Sequence, residues 1–397
     1  MMGGLGPWEP QPLVAVAVSG GADSMAACLL SRDWARARGG DVLAFVVDHG
    51  IRHESKAEAA LTCDRLTSAG VPAMLIRLDG LGTGPGIAAR ARAARHEALE
   101  AACAERGILH LVFGHHARDQ AETVVMRMLA QSHAPGLAGM AAMVETARVR
   151  KLRPLLGVVP ARLWAILAER GVAWVEDPTN ADPSQQRARL RMLRADPHGN
   201  ASSTRALVEA SARRGVARAA MEVELAAELA CRVTIDPHGF AVVTPGAMRV
   251  EALAALIGMI SGGMRPPAVS QVAGLAADLR PATLGGVRVM PAGRMGDGWL
   301  MAREWAACAP PVEARPGAVW DGRFRLTDLP NGTSPGSRVT LGAWGMDAIS
   351  DRNGPPVAVL RGLPVLRDGT ELLNASHPCM LFAPRLAATG ARFAGVC

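Results

Sequence analysis

Tyrosine is absent from this chain of 397 residues, and lysine occurs only at Lys56 and Lys151. Almost all basic side chains are therefore arginines, which together with abundant Ala and Gly indicates a compositional bias. No apolar run approaches the ~20 residues that a membrane-spanning helix requires. The short apolar run at residues 13–18 follows a start without a basic cluster, so it does not resemble a signal peptide. These absences favour a soluble, cytoplasmic protein.

Paired cysteines are also lacking. None of the seven cysteines forms a Cys-x-x-Cys pair, and no Cys/His set has the spacing of a zinc site. They are Cys28, Cys63, Cys103, Cys231, Cys308, Cys379 and Cys397. We expect reduced, mostly buried thiols. The net charge of +7 and the pI of about 9.5 suit a polyanionic partner.

Short, uniformly apolar segments alternate with helical segments in the first half of the chain. The predicted strands are residues 13–18, 42–47, 73–78 and 108–113, and the predicted helices are 23–38, 54–69, 87–106 and 119–129. This alternation predicts an α/β fold with a doubly wound, mainly parallel sheet, which binds ligands at the carboxyl ends of its strands. Further helices are predicted at 161–170, 204–231, 251–260 and 270–279, followed by a hairpin at 285–304.

The sequence Ser-Gly-Gly-Ala-Asp-Ser at residues 19–24 follows the first predicted strand and opens the first helix. Two glycines let the backbone turn tightly and present N–H groups to an anion, and the helix N-terminus adds partial positive charge. Asp23 beside a phosphate is unfavourable unless a cation lies between them, which implies Mg²⁺. The alternative is a simple N-cap. The predicted phosphate-binding residues are Ser19, Gly20, Gly21, Ala22, Asp23 and Ser24.

This loop has no Walker lysine, and it resembles the pyrophosphate loop (PP-loop) of N-type ATP pyrophosphatases, which leave AMP on an oxygen of the substrate. Further segments resemble the tRNA(Ile)-lysidine synthases of that superfamily. They are Val-Asp-His-Gly-Ile-Arg at 47–52, Ala-Arg-Ala-Ala-Arg-His at 91–96, Gly-His-His-Ala-Arg-Asp-Gln-Ala-Glu-Thr at 114–123, Arg-Pro-Leu-Leu at 153–156 and Asp-Pro-Thr-Asn-Ala-Asp at 177–182. Two of these segments depart from the family's motifs: His96 replaces a tyrosine in the second, and Arg118 replaces an aspartate in the third.

The resemblance implies a Rossmann-like, PP-loop ATP-binding catalytic domain at 1–200, a helical tRNA-binding domain at 201–280 and a mixed α+β region at 281–397 that contacts tRNA. It implies ATP and Mg²⁺, a tRNA(Ile) with a CAU anticodon and L-lysine as partners, with a homodimer as one alternative. In the implied reaction, the 2-carbonyl oxygen of the wobble cytidine is adenylated, and free lysine then replaces AMP to form lysidine.

Candidate residues for handling lysine lie in the 114–123 motif. Asp119 and Glu122 are three residues apart and share a helix face, which suits an ammonium site or a base. Their alternative is a solvated acidic first turn. His116 and His49 are expected to contact the nucleotide, although His116 could simply end a strand.

Arginines supply the candidate anion sites. Arg92 and Arg95 could bind a phosphate or a carboxylate, or form an exposed basic face. Arg187, Arg189 and Arg191 alternate, so in an extended segment they would face RNA phosphates together. Their alternative is a charged surface strand.

Three rival functions are open. A tRNA thiolase is the nearest, but thiolases commonly use paired cysteines, which this chain lacks. Small-molecule amidation would need a glutamine-hydrolysing domain with a nucleophilic cysteine. A non-catalytic RNA-binding relative is disfavoured by the intact loop at 19–24.

Overall fold

A computed structural model describes residues 2–50, 55–78, 80, 82, 84, 86–132, 134–146, 148–175, 186–263, 266–329, 339–347, 354–373 and 380–382. Motif residues 51–52 and 177–182 lie outside the described residues. The chain forms two compact units, Met1–Ala219 and Ala220–Cys397. The functional boundaries at 200 and 280 stay predictions.

The first unit is built on a six-stranded sheet. Its strands are β1 Leu13–Val18, β2 Asp41–Asp48, β3 Ala73–Arg77, β4 His110–Phe113, β5 Met143–Glu145 and β6 Arg150–Leu152. The strand order is β3-β2-β1-β4-β6-β5, and every neighbouring pair is parallel except β5 with β6. The predicted mainly parallel sheet is confirmed.

Helices cover both faces of this sheet. They are α1 Ala22–Arg36, α2 Ser55–Ser68, α3 Ile87–Glu105, α4 Ala117–Leu129, α5 Ala134–Leu137, α6 Pro160–Glu169, α7 Gln186–Arg194 and α8 Ser202–Arg232. Successive side chains of β1 point to opposite faces of the sheet, so they pack into two separate hydrophobic clusters. Val14 and Val16 join a cluster with Met25 of α1, whereas Ala15 packs in a second cluster with Leu99 of α3. Both faces of β1 are therefore buried, as its uniformly apolar sequence predicted.

The chain reverses its direction of winding at β1. It runs outward from β1 to β3 and then returns to place β4 on the other side of β1. Open α/β sheets bind ligands at such a switch point, beyond the carboxyl ends of the strands. Here the segments that follow β1 and β4 are the glycine loop and the His115–His116 pair.

Helix α7 corrects one expectation. The arginines at 187, 189 and 191 were expected on an extended segment, but they lie on a helix. The segment consists of Gln, Arg, Ala, Leu and Met, all strong helix formers, and nothing in an alternating arginine pattern excludes a helix. Since two residues subtend about 200° on a helix, Arg189 projects away from Arg187 and Arg191.

The second unit contains three antiparallel sheets, ordered β7-β8-β11-β10-β9, β12-β15-β16-β17 and β13-β14-β18. The strands are β7 Val233–Asp236, β8 Phe240–Val243, β9 Ala282–Leu284, β10 Val287–Pro291, β11 Trp299–Arg303, β12 Val312–Glu313, β13 Val319–Trp320, β14 Phe324–Leu326, β15 Val339–Ala343, β16 Pro364–Asp368, β17 Glu371–Leu373 and β18 Met380–Phe382. The helices are α9 Val250–Ser261, α10 Val269–Ala277 and α11 Val357–Leu360. The predicted hairpin is β10 with β11.

Two arginines share one buried carboxylate in this second unit. Asp321, whose side chain is 3% exposed, accepts hydrogen bonds from Arg303 Nε at 3.0 Å and Arg323 Nε at 2.8 Å. The Arg323 guanidinium is 1% exposed and lies over the Trp320 and Phe324 rings. Removing the carboxylate would leave buried positive charge without a partner.

Among the described residues, no helix is both long and apolar enough to cross a membrane.

We expect Asp321→Asn to lower the free energy of unfolding by about 3 kcal/mol, because it removes one charge from a buried ion pair. Asn tolerates the positive φ of 52° at this position, so backbone strain does not confuse the result. Denaturant unfolding measures the loss. The matched control is Asp278→Asn, whose pair with Arg280 is 79% and 57% exposed and should contribute less than about 1 kcal/mol. Equal losses from both variants would contradict the prediction.

Candidate active site

The glycine loop lies between the carboxyl end of β1 and the start of α1. The Ser19 N–H donates to Ser24 Oγ at 3.1 Å, and Ser24 Oγ donates to the Gly21 carbonyl at 2.9 Å. Gly20 has a φ of +84°, and a Cβ there would lie 2.4 Å from Thr62 Oγ1. A side chain is therefore excluded at Gly20 by both conformation and space.

The N-cap of α1 is Gly21, which makes no side-chain cap. Asp23 and Ser24 therefore do not fill the capping role that was the alternative to phosphate binding. The first N–H groups of a helix have no intrahelical partner, and here they lie beside an open cleft. The arrangement is suited to an anion.

The cleft has a volume of about 570 Å³. It is lined by Ala17, Ser19, Gly21, Ala22, Asp23, Ser24, Arg95, Phe113, Gly114, His115, Arg118, Asp119, Trp164, Trp174, Val175, Arg187 and Arg191. Nine of the predicted site residues, Arg191 included, are thus brought together here. The predicted residues outside this lining are Gly20, His49, Arg92, His116, Glu122 and Arg189.

A buried histidine joins the loop to the acidic motif. His116 Nε2 lies 3.2 Å from Asp23 Oδ2 and 3.5 Å from Asp119 Oδ2, and its side chain is 1% exposed. Burial lowers the pKa of His116, but the two carboxylates outweigh burial and hold that pKa above its ordinary value. His116, the N-cap residue of α4, therefore lies between two carboxylates that favour its protonated form.

The acidic pair on α4 is buried rather than solvated. Burial raises the pKa of Asp119, but the facing His116, the hydrogen bond from the His116 N–H and the Arg191 guanidinium outweigh it, so the pKa lies below its usual range. Arg191 Nε donates to Glu122 Oε1 at 2.8 Å, and its Nη2 donates to Asp119 Oδ1 at 3.3 Å. The alternative of an exposed acidic first turn is therefore wrong.

Arginines cluster around Arg95, which lines the cleft. Burial and like-charged neighbours lower the pKa of Arg92, Arg95 and Arg153, and that of Arg153 falls to about 10. Burial first, then these cations, lowers the pKa of His96 to about 3. Among the described residues, the neighbouring charges that lower the pKa of these three arginines all belong to other arginines, Arg187 included. Such a cluster is suited to an anionic ligand.

His49 lies near Arg95 of this cluster. Burial and Arg95 lower its pKa, and its Nδ1 is buried without a hydrogen-bond partner among the described residues. His115 is likewise neutral, since burial lowers its pKa to about 3. Neutral imidazoles can accept a hydrogen bond from a ligand.

Sequence reasoning missed two tryptophans that line the cleft and one arginine near it. Trp164 of α6 and Trp174 line the cleft, and Trp164 Nε1 donates to Asp23 Oδ1 at 3.2 Å. Arg153 lies 5.7 Å over the Phe113 ring, beside His96. Nothing in the local sequence around Trp164 or Trp174 indicated that either would reach the glycine loop. Arg153 could have been found, because it belongs to the quoted Arg-Pro-Leu-Leu segment.

The chemistry of Asp23 fits a magnesium ion. Its side chain is 36% exposed at the cleft, and each carboxylate oxygen has one protein partner, which leaves lone pairs available. Mg²⁺ is commonly held by one or two carboxylates together with substrate phosphates and waters, so a full set of protein ligands is unnecessary.

Comparisons with known proteins agree with this geometry. A family model described as a PP-loop domain matches residues 6–194. A tRNA(Ile)-lysidine synthase of Ruegeria pomeroyi is 33% identical over 383 residues, covering 92% of this chain and 89% of the relative. One of Hyphomonas neptunium is 34% identical, covering 70% and 78%. One of Rhodopseudomonas palustris is 40% identical over 54% of this chain, and the match spans 63% of that relative.

The parallel sheet, the glycine loop after β1 and the matched domain together define a PP-loop protein. Within that class, the chain belongs to the tRNA(Ile)-lysidine synthase family, because similarity to a member extends over nearly the full length of both sequences.

The raised pKa of His116 predicts a pH-dependent stability. A cationic His116 stabilises the fold fully below its unfolded pKa of about 6.5, and this contribution is lost as the pH rises through the higher folded pKa. We therefore expect the loss of unfolding free energy caused by His116→Gln to be largest at and below about pH 6.5, the unfolded pKa, and to shrink as the pH rises through the higher folded pKa. Denaturant unfolding across this range measures it. The control is His198→Gln, an exposed histidine of the same unit. A loss that grows with pH would contradict the assignment.

Proposed function

We propose that this chain ligates free lysine to carbon 2 of the wobble cytidine in a tRNA(Ile) with a CAU anticodon, using ATP and releasing AMP and pyrophosphate. One observation carries the proposal: the glycine loop and Asp119 of the acidic pair border one cleft, and His116 lies between Asp23 and Asp119. An enzyme that adenylates one substrate and then admits an ammonium-bearing second substrate needs both features side by side.

The first step is adenylation. The cytidine 2-carbonyl oxygen attacks the α-phosphorus of ATP, a P–O bond forms, and the bond to the β-phosphate breaks to release pyrophosphate. Such chemistry depends on positioning and on neutralising charge. The N–H groups of the loop from Ser19 to Ser24 would hold the pyrophosphate, and neutral His49 would accept a hydrogen bond from the nucleotide. Arg95 and Arg187, which also line the cleft, would face the α-phosphate.

Magnesium would be held by Asp23 together with phosphate oxygens, and when bound it would neutralise charge on the phosphates. Asp23 is oriented for this by the hydrogen bond from Trp164 and by His116. The cationic His116 also limits the repulsion between Asp23 and the incoming phosphates.

The second step is attack by lysine. The ε-amine forms a bond to carbon 2, and the bond from this carbon to the AMP-bearing oxygen breaks. Asp119 and Glu122 are the candidates for binding the ammonium and accepting its proton. The lowered pKa of Asp119 suits it to holding an ammonium, because a weakly basic carboxylate stays ionised beside the amine.

The RNA must present its target base outside the stack, as other base-modifying enzymes require. Arg92, which lies near Arg187, is proposed to contact the phosphate of the displaced nucleotide. Arg189, on the exposed side of α7, is proposed to contact a neighbouring phosphate. Residues 201–280 and 281–397 are proposed to hold the remainder of the tRNA.

The thiolase alternative is less well supported. Thiolation needs reactive cysteines, yet none of the described residues that line the cleft is a cysteine. Burial raises the pKa of both Cys28 and Cys103 to about 12, which keeps them as unreactive thiols.

We expect Asp23→Ala to reduce turnover by at least ~100-fold, the scale of losing one key electrostatic group. The measurement is tRNA-dependent release of pyrophosphate from ATP at saturating Mg²⁺. The matched control is Asp33→Ala on the same helix, whose pairs with Arg32 and Arg170 lie at the surface. Turnover of Asp23→Ala close to that of the control would count against the assigned role.

We expect labelled lysine to enter only a tRNA carrying cytidine at the wobble position of a CAU anticodon. The experiment incubates the protein with ATP, labelled lysine and matched transcripts that differ only in the wobble base, and then maps the label. Pyrophosphate release should require tRNA. Incorporation of sulfur, or equal labelling of a transcript with another wobble base, would refute the proposed activity.

A further inference from the structure

A second, smaller cavity of about 220 Å³ shares two of its walls, Arg118 and Arg191, with the main cleft. Its lining consists of Arg118, Glu122, Arg191, Met192, Arg194, Asp196 and Pro197. Resting on the proposed function, we propose that this cavity is the subsite for the amino-acid head of the lysine substrate and that Arg118 binds its α-carboxylate. The ε-amine would then extend from the cavity into the cleft.

Arg118 has an unused hydrogen-bonding edge. Its Nη1 donates to the Pro197 carbonyl at 2.8 Å, which fixes the plane of the guanidinium. Its Nε is buried and has no hydrogen-bond partner among the described residues. The nearest carboxylate oxygen, Glu122 Oε1, lies 3.6 Å from this Nε, beyond hydrogen-bond distance. An arginine anchored through Nη1 presents its Nε–Nη2 edge in the geometry that binds a carboxylate bidentately.

Glu122 does not satisfy Arg118, because Arg191 already binds both oxygens of that carboxylate. Arg191 Nε donates to Oε1 at 2.8 Å and Nη2 to Oε2 at 3.3 Å. Glu122 instead supplies negative charge beside Arg118. A cation and an anion side by side are complementary to the head of an α-amino acid, whose carboxylate and ammonium share one carbon.

The remaining lining favours the same ligand. Asp196 is engaged in structure, since it accepts hydrogen bonds from the Asn200 and Ala201 N–H groups and from Thr204 Oγ1. The cavity therefore holds three arginines against two carboxylates, and one carboxylate from a ligand balances this surplus. Met192 and Pro197 provide apolar surface for methylene groups.

The small cavity and the main cleft adjoin, so one lysine molecule can occupy both. Arg118 and Arg191 border both spaces, and Asp119, the residue next to Arg118, lines the main cleft. An amino acid held by its head at Arg118 can direct a long, flexible side chain towards Asp119. Short amino acids held in the same way would leave their side chains inside the cavity, which gives the subsite selectivity for length.

The test compares L-lysine with 1,5-diaminopentane, which retains both amines and lacks only the carboxylate. Binding is measured calorimetrically on the full chain with a non-hydrolysable ATP analogue present. Wild-type protein should bind lysine more tightly than the diamine by on the order of 10- to 100-fold, the scale of a charge-assisted hydrogen bond. Arg118→Gln should abolish this preference by weakening lysine binding alone, and Arg118→Lys should retain part of it.

Two controls make the result decisive. Arg162→Gln, an exposed change on α6, should leave the preference intact, and thermal melting should show that the Arg118 variants are folded. Arg95→Gln tests the rival cation in the cleft. If Arg95→Gln rather than Arg118→Gln removes the preference, or if Arg118→Gln weakens both ligands equally, the proposed subsite is wrong.

The binding measurement separates this proposal from the proposed reaction. Selective lysine binding that depends on Arg118, without lysine transfer to tRNA by the wild-type protein, would refute the reaction and leave the subsite standing. Lysine transfer by wild-type protein, with an Arg118→Gln variant whose KM for lysine is unchanged, would refute the subsite and leave the reaction standing.

Discussion

The site depends on one close approach between two strand ends. Because β4 returns beside β1, Gly114 lies against the first turn of α1, where a Cβ would sit 2.9 Å from the Asp23 carbonyl oxygen. Only glycine allows the chain after β4 to pass this near to the phosphate loop. His116 follows two residues after Gly114, and its Nε2 lies 3.2 Å from Asp23 Oδ2. Without this contact, the acidic motif on α4 and the glycine loop would border separate spaces.

Charge in the cleft is divided into two regions with different partners. On the α4 side, Asp23, Asp119 and Glu122 are each matched by His116 or Arg191, so this side is close to neutral and can exchange one cation for another. In a second region, the charges that lower the pKa of Arg95 and Arg153 are those of other arginines, and burial together with nearby cations lowers the pKa of His96 to about 3. The first region suits an ammonium that must come and go, and the second suits phosphates. A ligation that uses ATP and an amine needs this division within one cleft.

The elements of the first unit could be predicted from the sequence because their signals are local. Apolar runs such as residues 13–18 specify buried parallel strands, and the paired glycines at 20 and 21 specify the loop that follows. The spacing of Asp119 and Glu122 correctly placed them on one helix face, but burial of both depends on Arg191, which lies about 70 residues later. The arginines at every second position around Arg189 are compatible with either a strand or a helix. The segment forms a helix because its residues have high intrinsic helix propensity. Trp164 reaches Asp23 only through tertiary packing, which no local pattern encodes.

Arg118 occupies a position at which a cation is intrinsically unfavourable. It lies in the first turn of α4, where the helix dipole favours negative charge by about 0.3–1 kcal/mol. The Pro197 carbonyl and the Glu122 carboxylate offset part of this penalty, yet the buried Nε remains without a hydrogen bond among the described residues. A buried donor without an acceptor costs about 1–3 kcal/mol. An anionic ligand that accepts from this edge removes that penalty on binding, so the strain in the free protein becomes part of the affinity for the ligand. Under the proposed subsite, the departure from the aspartate of the resembled motif changes how the substrate is held and leaves Asp23 and Asp119, the residues proposed for the reaction, in place.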